Sequence, residues 1–484
     1  MKRFIFIRIS FIIAITGIMF LATNCRKDKP ITDISAKLTF SADTIVFDTV
    51  FTTIGSTTKL FKVINPYKQA INISTIKLAG GPSSQYRMNI DGVSCIETHN
   101  VEIAAKDSIF IFVKVNIDPL NSNSPLIVSD SILFETNGNQ QKVMLVAWGQ
   151  DAYYYYPNHF PQSSHDFPYP YSIISCDATW KNDKPHVIYG WAVVDSACTL
   201  NIEAGTRVHL HSNAVLFVYK GTLHINGTLS DPVTVQGDRL EQDYQDIPGQ
   251  WGKIWLYAGS INNTVDYAVI KNGIIGLQAD TFGSSLVPTL AMNNTIIKNM
   301  SDVGLYAQGS TVNATNCVIA NCGVYAVALM IGGSYDFRHC TIGNYWTYST
   351  RQTPALILNN YYKDVNEVYH ERDLNKADFG NCIIYGSMDD EISLDKYSSG
   401  GIYNYKFENC LMKTTIDIAG DAMHYISCIK NGDPSFVDYT MNNYELAAGS
   451  AAINAGSLTI ASSVPFDIKN VYRLSSPDIG AYEK

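Results

Sequence analysis

A short phrase of polar and apolar positions recurs through the second half of the chain. It contains a polar residue, a small or apolar residue, two mostly aliphatic residues and a turn residue, as in Asn294–Asn299 (Asn-Thr-Ile-Ile-Lys-Asn). Each copy predicts one short β-strand followed by a bend. The copies begin at Tyr267, Asn294, Asn316, His339, Asn381 and Asn409, so consecutive starts are 27, 22, 23, 42 and 28 residues apart. The repeat therefore predicts a solenoid that completes about one coil per copy.

A second short apolar run follows the phrase within each coil. It is seen in Gly276–Ala279, Gly304–Ala307 and Tyr325–Ala328. Two or three short strands per coil, with no helix between them, predict a parallel β-helix. The alternative is an antiparallel sandwich, which would show hairpin turns between paired runs. Asn-Gly turns begin only at Asn137, Asn226, Asn272 and Asn431, which favours the β-helix.

The second position of the later phrases is cysteine, namely Cys317, Cys340, Cys382 and Cys410. Equivalent positions of a solenoid stack roughly 4.8 Å apart, so these thiols are predicted to share one interior column. A buried free cysteine behaves as a small hydrophobe, and we interpret the column as core packing. Disulfide pairing between neighbouring coils is the alternative.

Residues 31–150 have a different pattern, with short alternating runs separated by turn clusters. The seven runs are Lys37–Phe40, Thr44–Phe47, Lys59–Ile64, Ile71–Leu78, Ile109–Val115, Ser131–Phe134 and Lys142–Ala147. Seven short strands of this kind predict an Ig-like β-sandwich. Cys95 is the only cysteine in the module. The module therefore resembles bacterial or hydin-like Ig domains that lack the inter-sheet disulfide, and this resemblance implies a spacer or docking role.

Residues 151–175 form a linker rich in aromatic residues and proline, with Tyr153–Pro157 and Phe167–Tyr171 as its two clusters. These aromatic side chains either cover the junction between the modules or stack on sugars. The β-helix is predicted over 176–432. Its opening phrases, Leu200–Thr206 and Gly221–Thr228, resemble the first coils of right-handed parallel β-helix proteins in the pectate-lyase-like superfamily. Residues 433–484 resemble a terminal segment of secreted bacterial β-helix proteins, and we predict that they cap the solenoid. The expected fold class is thus all-β, an Ig-like sandwich followed by a right-handed parallel β-helix.

The first 24 residues predict export. Lys2, Arg3 and Arg8 precede the apolar run Ile9–Leu21, which is short for a membrane-spanning helix. The run ends just before Cys25, and this arrangement resembles a bacterial lipoprotein signal in which Cys25 is lipidated. The resemblance implies a lipid anchor in the outer membrane of a Gram-negative cell, on either its periplasmic or its surface face. Ordinary secretion with an incidental Cys25 is the alternative.

The charge of the chain argues against nucleic acid as a partner. The formal net charge is −9, and removing the three leader cations gives −9 − 3 = −12 for the mature chain. A net negative protein repels phosphate backbones. We expect a monomer.

The repeat is interrupted between His339 and Asn381 by an aromatic-rich insertion. Long insertions in a solenoid commonly form loops on a binding face. We therefore predict that the insertion either binds a glycan by aromatic stacking or forms a lid over one flank. The candidate glycan-binding residues are Trp346, Tyr348, Tyr361, Tyr362 and Tyr369.

Chemistry-bearing motifs are sparse. Asp389, Asp390 and Glu391 form one acidic cluster, which is either a Ca²⁺ site or a solvated turn. Neither the Gly-His-Gly nor the Arg-x-Lys motif of polygalacturonase-like β-helix enzymes occurs. No catalytic residue is assigned, and no cofactor other than Ca²⁺ is considered. Two functions follow, a non-catalytic envelope lipoprotein that binds a glycan or another envelope component, and, as the alternative, a polysaccharide lyase or glycoside hydrolase acting on acidic polysaccharide.

Overall fold

The computed structural model describes residues 29–52, 55–118, 126–163, 167–280, 287–397 and 400–484. They divide into two compact units, one that ends at Asp151 and one from Ala152 to Lys484. The first unit is a β-sandwich and the second is a parallel β-helix, so the predicted fold class is confirmed. The leader and Cys25 lie outside the described residues. Within the described residues, no helix has the length and apolar character needed to cross a membrane.

The sandwich contains two five-stranded sheets. The first sandwich sheet contains, in spatial order, Thr39–Phe40, Lys59–Ile64, Ser108–Val115, Tyr86–Ile90 and Val93–Cys95. The second sandwich sheet contains Thr44–Phe51, Asn139–Gln150, Leu126–Thr136, Ile71–Leu78 and Glu97–Ile103. Alternate residues point between the sheets, as Phe61 and Val63 do in the second strand. Each such buried side chain contributes roughly 1.5–3 kcal/mol.

The β-helix contains three parallel sheets, because most coils add one strand to each sheet. The first helix sheet contains Tyr153–Tyr155, His186–Ile188, Arg207–Leu210, Val233–Gly237, Ala268–Lys271, Ile296–Met300, Val318–Cys322, Thr341–Asn344, Ile383–Gly386, Leu411–Met412 and Ile429–Lys430. The second contains Tyr171–Ile173, Trp191–Val194, Val215–Val218, Lys253–Leu256, Ile275–Ala279, Val303–Gln308, Tyr325–Met330, Leu356–Asn359 and Ile392–Asp395. The third contains Thr179–Trp180, Thr199–Glu203, Thr222–Asn226, Asn263–Asp266, Leu290–Asn293, Thr311–Thr315, Gly333–Arg338, Leu374–Gly380, Lys406–Glu408 and Tyr425–Ile426.

Smaller elements lie outside these sheets. Two antiparallel hairpins pair Tyr361–Lys363 with Tyr369–Glu371, and Phe436–Asp438 with Asn443–Leu446. In the part of the chain that the structure describes, the helical elements are the 3-10 turns Gly81–Ser83, Gln242–Tyr244 and Tyr439–Met441 and the α-helix Leu458–Ala461. The aromatic segment 151–175 contributes the first strand of two helix sheets, so a coil already begins at Tyr153.

The recurring phrase corresponds to the corner between the third and first helix sheets. Every phrase begins with a residue in the left-handed region, at φ +44° to +52° for Tyr267, Asn294, Asn316, His339, Asn381 and Asn409. Asn enters this region at a lower cost than most residues, because its short amide side chain can form local hydrogen bonds. The amides also pair between coils, since Asn316 Nδ2 donates to Asn294 Oδ1 over 3.0 Å. The polar position of the repeat is thus set by the turn.

The cysteine column is present as packed thiols. Cys317, Cys340, Cys382 and Cys410 are free and buried, and the partly buried Cys428 extends the column by one coil. The backbone N–H of Cys340 donates to Cys382 Sγ at 3.4 Å, which is a contact between neighbouring coils. Burial raises the pKa of the Cys340 and Cys410 thiols well above its usual value. The packing interpretation of these four residues is therefore confirmed.

Residues 433–484 lie along the outer face of the first helix sheet. Tyr444 packs on Gly343, where an added Cβ would lie only 2.5 Å from Tyr444 Cε1. Farther along the segment, the buried Arg473 donates to Asn316 Oδ1 over 3.1 Å and contacts His339. The polar first residues of the phrases therefore serve a second purpose, because they bind this segment. Ile416 and Ile418, which precede the segment in sequence, pack against the core of the β-helix.

The opening coils are closed and cross-linked. Trp180 is buried and stacks on His186 at 4.5 Å between ring centroids. A disulfide joins Cys176 to Cys198, 22 residues later and one coil away. The sequence interpretation considered disulfides only for the thiol column, and the cross-link lies elsewhere.

Candidate functional site

The outer face of the second helix sheet carries aromatic side chains on its first coils. Alternate residues of a strand point outward, and the register aligns Val193, Phe217 and Trp255 in one column across three strands. Aromatic residues beside this column extend it on both sides. We name this surface the aromatic platform, and its members are Phe167, Tyr169, Tyr171, Trp191, Phe217, Tyr219, Trp255 and Tyr257.

The rings of the aromatic platform are in mutual contact. Tyr169 lies nearly parallel to Trp191, with 4.5 Å between centroids and 6° between planes. Phe217 lies 5.3 Å from both Trp191 and Trp255. Tyr219 stacks on Tyr257 at 6.1 Å. The contacts hold the rings in fixed orientations, so a ligand would not have to order them on binding.

A hollow of about 410 Å³ opens on the platform. Its floor is Val193 and Phe217, and its rim includes Tyr171, Tyr219 and the carboxylate-bearing Asp195. Apolar floors with a few polar rim groups are typical of sites for small organic ligands. Sugar rings suit such a surface, because their C–H faces pack on aromatic rings while their hydroxyls reach the polar rim.

A group of polar residues lies on the same sheet face, on the coil of Trp255 and the two coils after it. We name it the polar cluster, and it contains Lys253, Gln278, Asp280, Asp302 and Tyr306. Lys253 Nζ lies 3.6 Å from the centroid of the Trp255 ring and donates to Gln278 Oε1 over 2.6 Å. Gln278 Nε2 and Trp255 Nε1 both donate to Asp280, at 3.0 Å and 2.5 Å. Trp255 therefore joins the platform to the polar cluster.

Burial shifts the protonation equilibria of the polar cluster. It raises the pKa of Asp280 and of Asp302, and the positive charge of Lys253 opposes both shifts. Burial lowers the pKa of Lys253, and the two aspartates oppose that shift. Two acids that hold protons more tightly than usual, beside a lysine that holds one less tightly, are typical of acid–base sites.

The five aromatic residues predicted to bind glycan fall into two groups at opposite edges of the second helix sheet. Trp346 and Tyr348 follow a strand of the first helix sheet, whereas Tyr361, Tyr362 and Tyr369 follow a strand of the second. Trp346 is buried and donates to Ser349 Oγ over 2.9 Å. The exposed Tyr348 donates to the Asp246 carbonyl over 2.7 Å, and a cleft of about 150 Å³ lies beside the pair.

The second group holds the hairpin of the insertion together. The Tyr361 hydroxyl donates to Asp395 at 3.0 Å, and Tyr362 stacks on His370 at 5.0 Å. Tyr369 stacks on Tyr397 at 5.6 Å while about half of its surface stays exposed. These rings mainly contact one another, and the structure does not bring them to the aromatic platform.

The acidic triplet does not converge on one point. Asp389 is exposed, and Asp390 accepts hydrogen bonds from the hydroxyls of Thr414 and Thr415 at 2.8 Å and 2.7 Å. Glu391 is fully buried and accepts two hydrogen bonds from Arg351, at 2.5 Å and 2.7 Å. Within the described ranges, no group of three or more His, Cys, Asp or Glu side chains is placed to hold a metal ion.

Sequence reasoning named Phe167–Tyr171 as a cluster that either covers the junction or stacks on sugars, and this cluster contributes three rings to the aromatic platform. It missed the rest of the platform and the polar cluster. The available signal was the alternation in Val215–Val218 and Lys253–Leu256, which places one aromatic residue of each strand, Phe217 and Trp255, on the outward side. Two strands of the other helix sheets, Thr222–Asn226 and Val233–Gly237, lie between them in sequence. Only the strand register shows that Phe217 and Trp255 are neighbours.

Comparison with known proteins gives likeness of fold only. No protein-family model matches the chain, and no curated protein matches it. The Agl-KA catalytic domain aligns over 72% of this chain and 80% of its own, at 10% identity and a TM-score of 0.22. The catalytic domain of a GH87 alpha-1,3-glucanase, solved with tetrasaccharides, aligns over 79% and 85%, at 11% identity and 0.19. The PapD-like domain 7 of human CEP192 aligns over 25% and 91%, at 10% identity and 0.18. TM-scores this low establish no relation in activity.

Proposed function

We propose that this protein is a cell-envelope lipoprotein whose β-helix binds a polysaccharide along the outer face of the second helix sheet. The observation that carries the proposal is the aromatic platform, in which Phe217 and Trp255 are aligned by strand register beside a hollow of about 410 Å³. Contiguous apolar surfaces of this kind mark interaction sites. The export signal and Cys25 support the envelope location.

The ligand chemistry follows from the shape of the site. A row of rings on parallel strands is extended across the coils, and a linear glycan presents one ring face after another. Tyr219 offers a hydroxyl and Asp195 a carboxylate at the rim, and both can hydrogen-bond sugar hydroxyls. Lys253 and Gln278 continue the row with further polar groups, so a chain longer than the hollow would meet them next.

Alanine substitutions on the platform are expected to weaken glycan binding. Trp255→Ala and Tyr219→Ala each remove a ring that packs on others. We expect each to lower affinity about 10- to 100-fold, since buried aromatic anchors contribute roughly 1.4–2.8 kcal/mol. Affinity gel electrophoresis of residues 26–484 with dextran, xylan, mannan and a mixed-linkage β-glucan identifies a polysaccharide that binds. Isothermal titration calorimetry with that polysaccharide then measures the change in affinity for each variant.

The matched controls are Trp346→Ala and Tyr362→Ala, which remove a Trp and a Tyr away from the platform. Both are expected to bind as the unaltered protein does. If they abolish binding while Trp255→Ala and Tyr219→Ala leave it intact, the site lies in the insertion and the platform assignment is wrong.

Cleavage of the bound glycan is a second candidate function, favoured by the raised pKa of Asp280 and Asp302. In hydrolysis, one protonated carboxyl gives its proton to the leaving glycosidic oxygen as the bond to the anomeric carbon breaks. The other, ionised carboxylate takes a proton from the water whose oxygen bonds to that carbon. The polar cluster contains two acids for these roles, and Trp255 places one of them beside the platform.

The cleavage hypothesis predicts that Asp302→Asn lowers the release of reducing ends about 10²- to 10⁴-fold, because a positioned acid or base contributes that much. Reducing-end assays on the glycans that bind measure the release. Asp389→Asn, an exposed acid outside the cluster, is the control and is expected to have no effect. If the unaltered protein binds the glycan but releases no reducing ends, the cleavage hypothesis is wrong and the β-helix is a binding module.

A further inference from the structure

The sandwich carries a second exposed surface of defined chemistry, on the outer face of its first sheet. Phe61 and Val63 point into the core, so their neighbours Leu60 and Lys62 point outward. In Ser108–Val115 the same alternation leaves Phe110 and Phe112 exposed, by 42% and 36%. Large exposed rings in the middle of a sheet, away from its edges, mark an interaction surface.

Strand register sorts these outward residues into three rows. The central row is Leu60, Phe112, Asn89 and Ser94. The row on one side pairs Arg87 with Lys114. The row on the other side pairs Lys62 with Phe110, and Lys62 Nζ lies 5.1 Å from that ring. Aromatic residues thus occupy the middle of the face, and cations flank them on both sides.

The net charge of this face is positive, whereas the net charge of the whole chain is negative. The outward positions of Lys59–Ile64, Tyr86–Ile90 and Ser108–Val115 carry three cations and no acid. Among the residues that the structure describes, Lys62, Arg87 and Lys114 form no ion pair with a carboxylate. Arg87 Nη1 donates to the Ser84 and Tyr86 carbonyls at 2.5 Å and 2.7 Å, which fixes the guanidinium in place. On a chain of net charge −9, an unpaired cationic face is complementary to an anion.

A hollow of about 370 Å³ lies on this face, with Phe112, Arg87 and Lys114 among its lining residues. Thr58, Asn89 and Ser94 add two hydroxyls and an amide to the lining, and Met88 is the remaining lining residue. An acidic sugar requires three kinds of group in its binding site. It packs its ring on an aromatic ring, places its carboxylate or sulfate on cations, and hydrogen-bonds its hydroxyls to neutral polar groups. The phosphate of a lipid headgroup would use the cations, whereas an acidic sugar would use the cations, the Phe112 ring and the neutral groups together, so the lining favours a sugar.

We propose that the outer face of the first sandwich sheet binds an acidic glycan, with its carboxylates on Arg87 and Lys114 and a sugar ring on Phe112. This site is independent of the aromatic platform, which lies in the other unit. A protein with both sites would hold an acidic polysaccharide through its Ig-like module, whatever ligand the β-helix takes.

The test compares one polymer in two charge states. Alginate, a linear polyuronate, and its carboxyl-reduced neutral form are titrated into residues 26–484 at low salt. We expect alginate to bind, the reduced form to bind at least tenfold more weakly, and the alginate affinity to fall with added salt because charge pairs on an exposed face are screened. Arg87→Gln combined with Lys114→Gln is expected to weaken alginate binding at least tenfold.

The matched control is Lys77→Gln, which removes a cation from the other sandwich sheet, where it pairs with Glu135. It is expected to leave alginate binding unchanged. Phe112→Ala, which keeps every charge, is expected to weaken binding and so separates ring packing from charge alone. Tyr219→Ala disables the aromatic platform and is expected to spare alginate binding, which separates failure of this site from failure of the proposed function.

Three results would overturn the proposal. One is equal affinity for alginate and its reduced form. Another is alginate binding that survives the double substitution, with circular dichroism showing a folded protein. The last is binding to vesicles of phosphatidylglycerol, lost in the double variant, with no binding to alginate, which would assign the face to a membrane.

Discussion

Replacing Glu391 with alanine is expected to destabilise the β-helix by about 3–5 kcal/mol. Glu391 is fully buried and accepts hydrogen bonds from Arg351 and from the backbone N–H groups of Ala355 and Met388. Without it, the guanidinium of Arg351 stays buried with no opposite charge beside it. Urea unfolding followed by tryptophan fluorescence and circular dichroism measures the change, since five of the six tryptophans follow residue 151.

Two further variants make this prediction specific. Asp389→Ala removes an exposed acid two residues away and is expected to change the free energy of unfolding by less than about 0.5 kcal/mol. Replacing both partners, Arg351→Met with Glu391→Leu, is expected to cost less than Glu391→Ala alone, because no buried charge remains. A Glu391→Ala protein as stable as the Asp389→Ala protein would show that the pair is solvated and that the acidic turn interpretation holds for all three acids.

Removing the disulfide between Cys176 and Cys198 is expected to cost about 3 kcal/mol. The bond closes a loop of 22 residues, and the entropy that it removes from the unfolded chain corresponds to about that free energy. The loss is expected to begin at the first coils, because the cross-link joins the two coils nearest the start of the β-helix. Hydrogen exchange of residues 153–226, compared between the unaltered protein and a Cys176→Ser/Cys198→Ser variant, measures where protection is lost.

The control for the disulfide is Cys95→Ser, which removes a free, partly buried thiol from the sandwich. It is expected to leave exchange in the β-helix unchanged. Equal protection of the opening coils with and without the cross-link would mean that the closing contact of Trp180 with His186 alone holds them.

The repeating phrase carried enough information to predict the fold from sequence. Each copy begins with a residue of positive φ, usually Asn, at a corner of the coil. Each later copy also places a cysteine in the core. Both requirements are met within a few residues, and both recur from coil to coil. The same short pattern is therefore repeated along the sequence, where it can be recognised. The seven alternating runs before residue 150 predicted the sandwich for the same reason, since alternation is a property of single strands.

Strand register determined the two surfaces on which the proposals rest. Phe217 and Trp255 are 38 residues apart in the chain (255 − 217) and become neighbours only through strand pairing. The acidic triplet was visible in the sequence, yet burial separates Glu391, paired with Arg351, from the exposed Asp389. The sequence by itself therefore determined the fold, because fold depends on patterns that repeat locally. Only the tertiary structure decided which aromatic rings and charges share a surface, because that depends on contacts between coils.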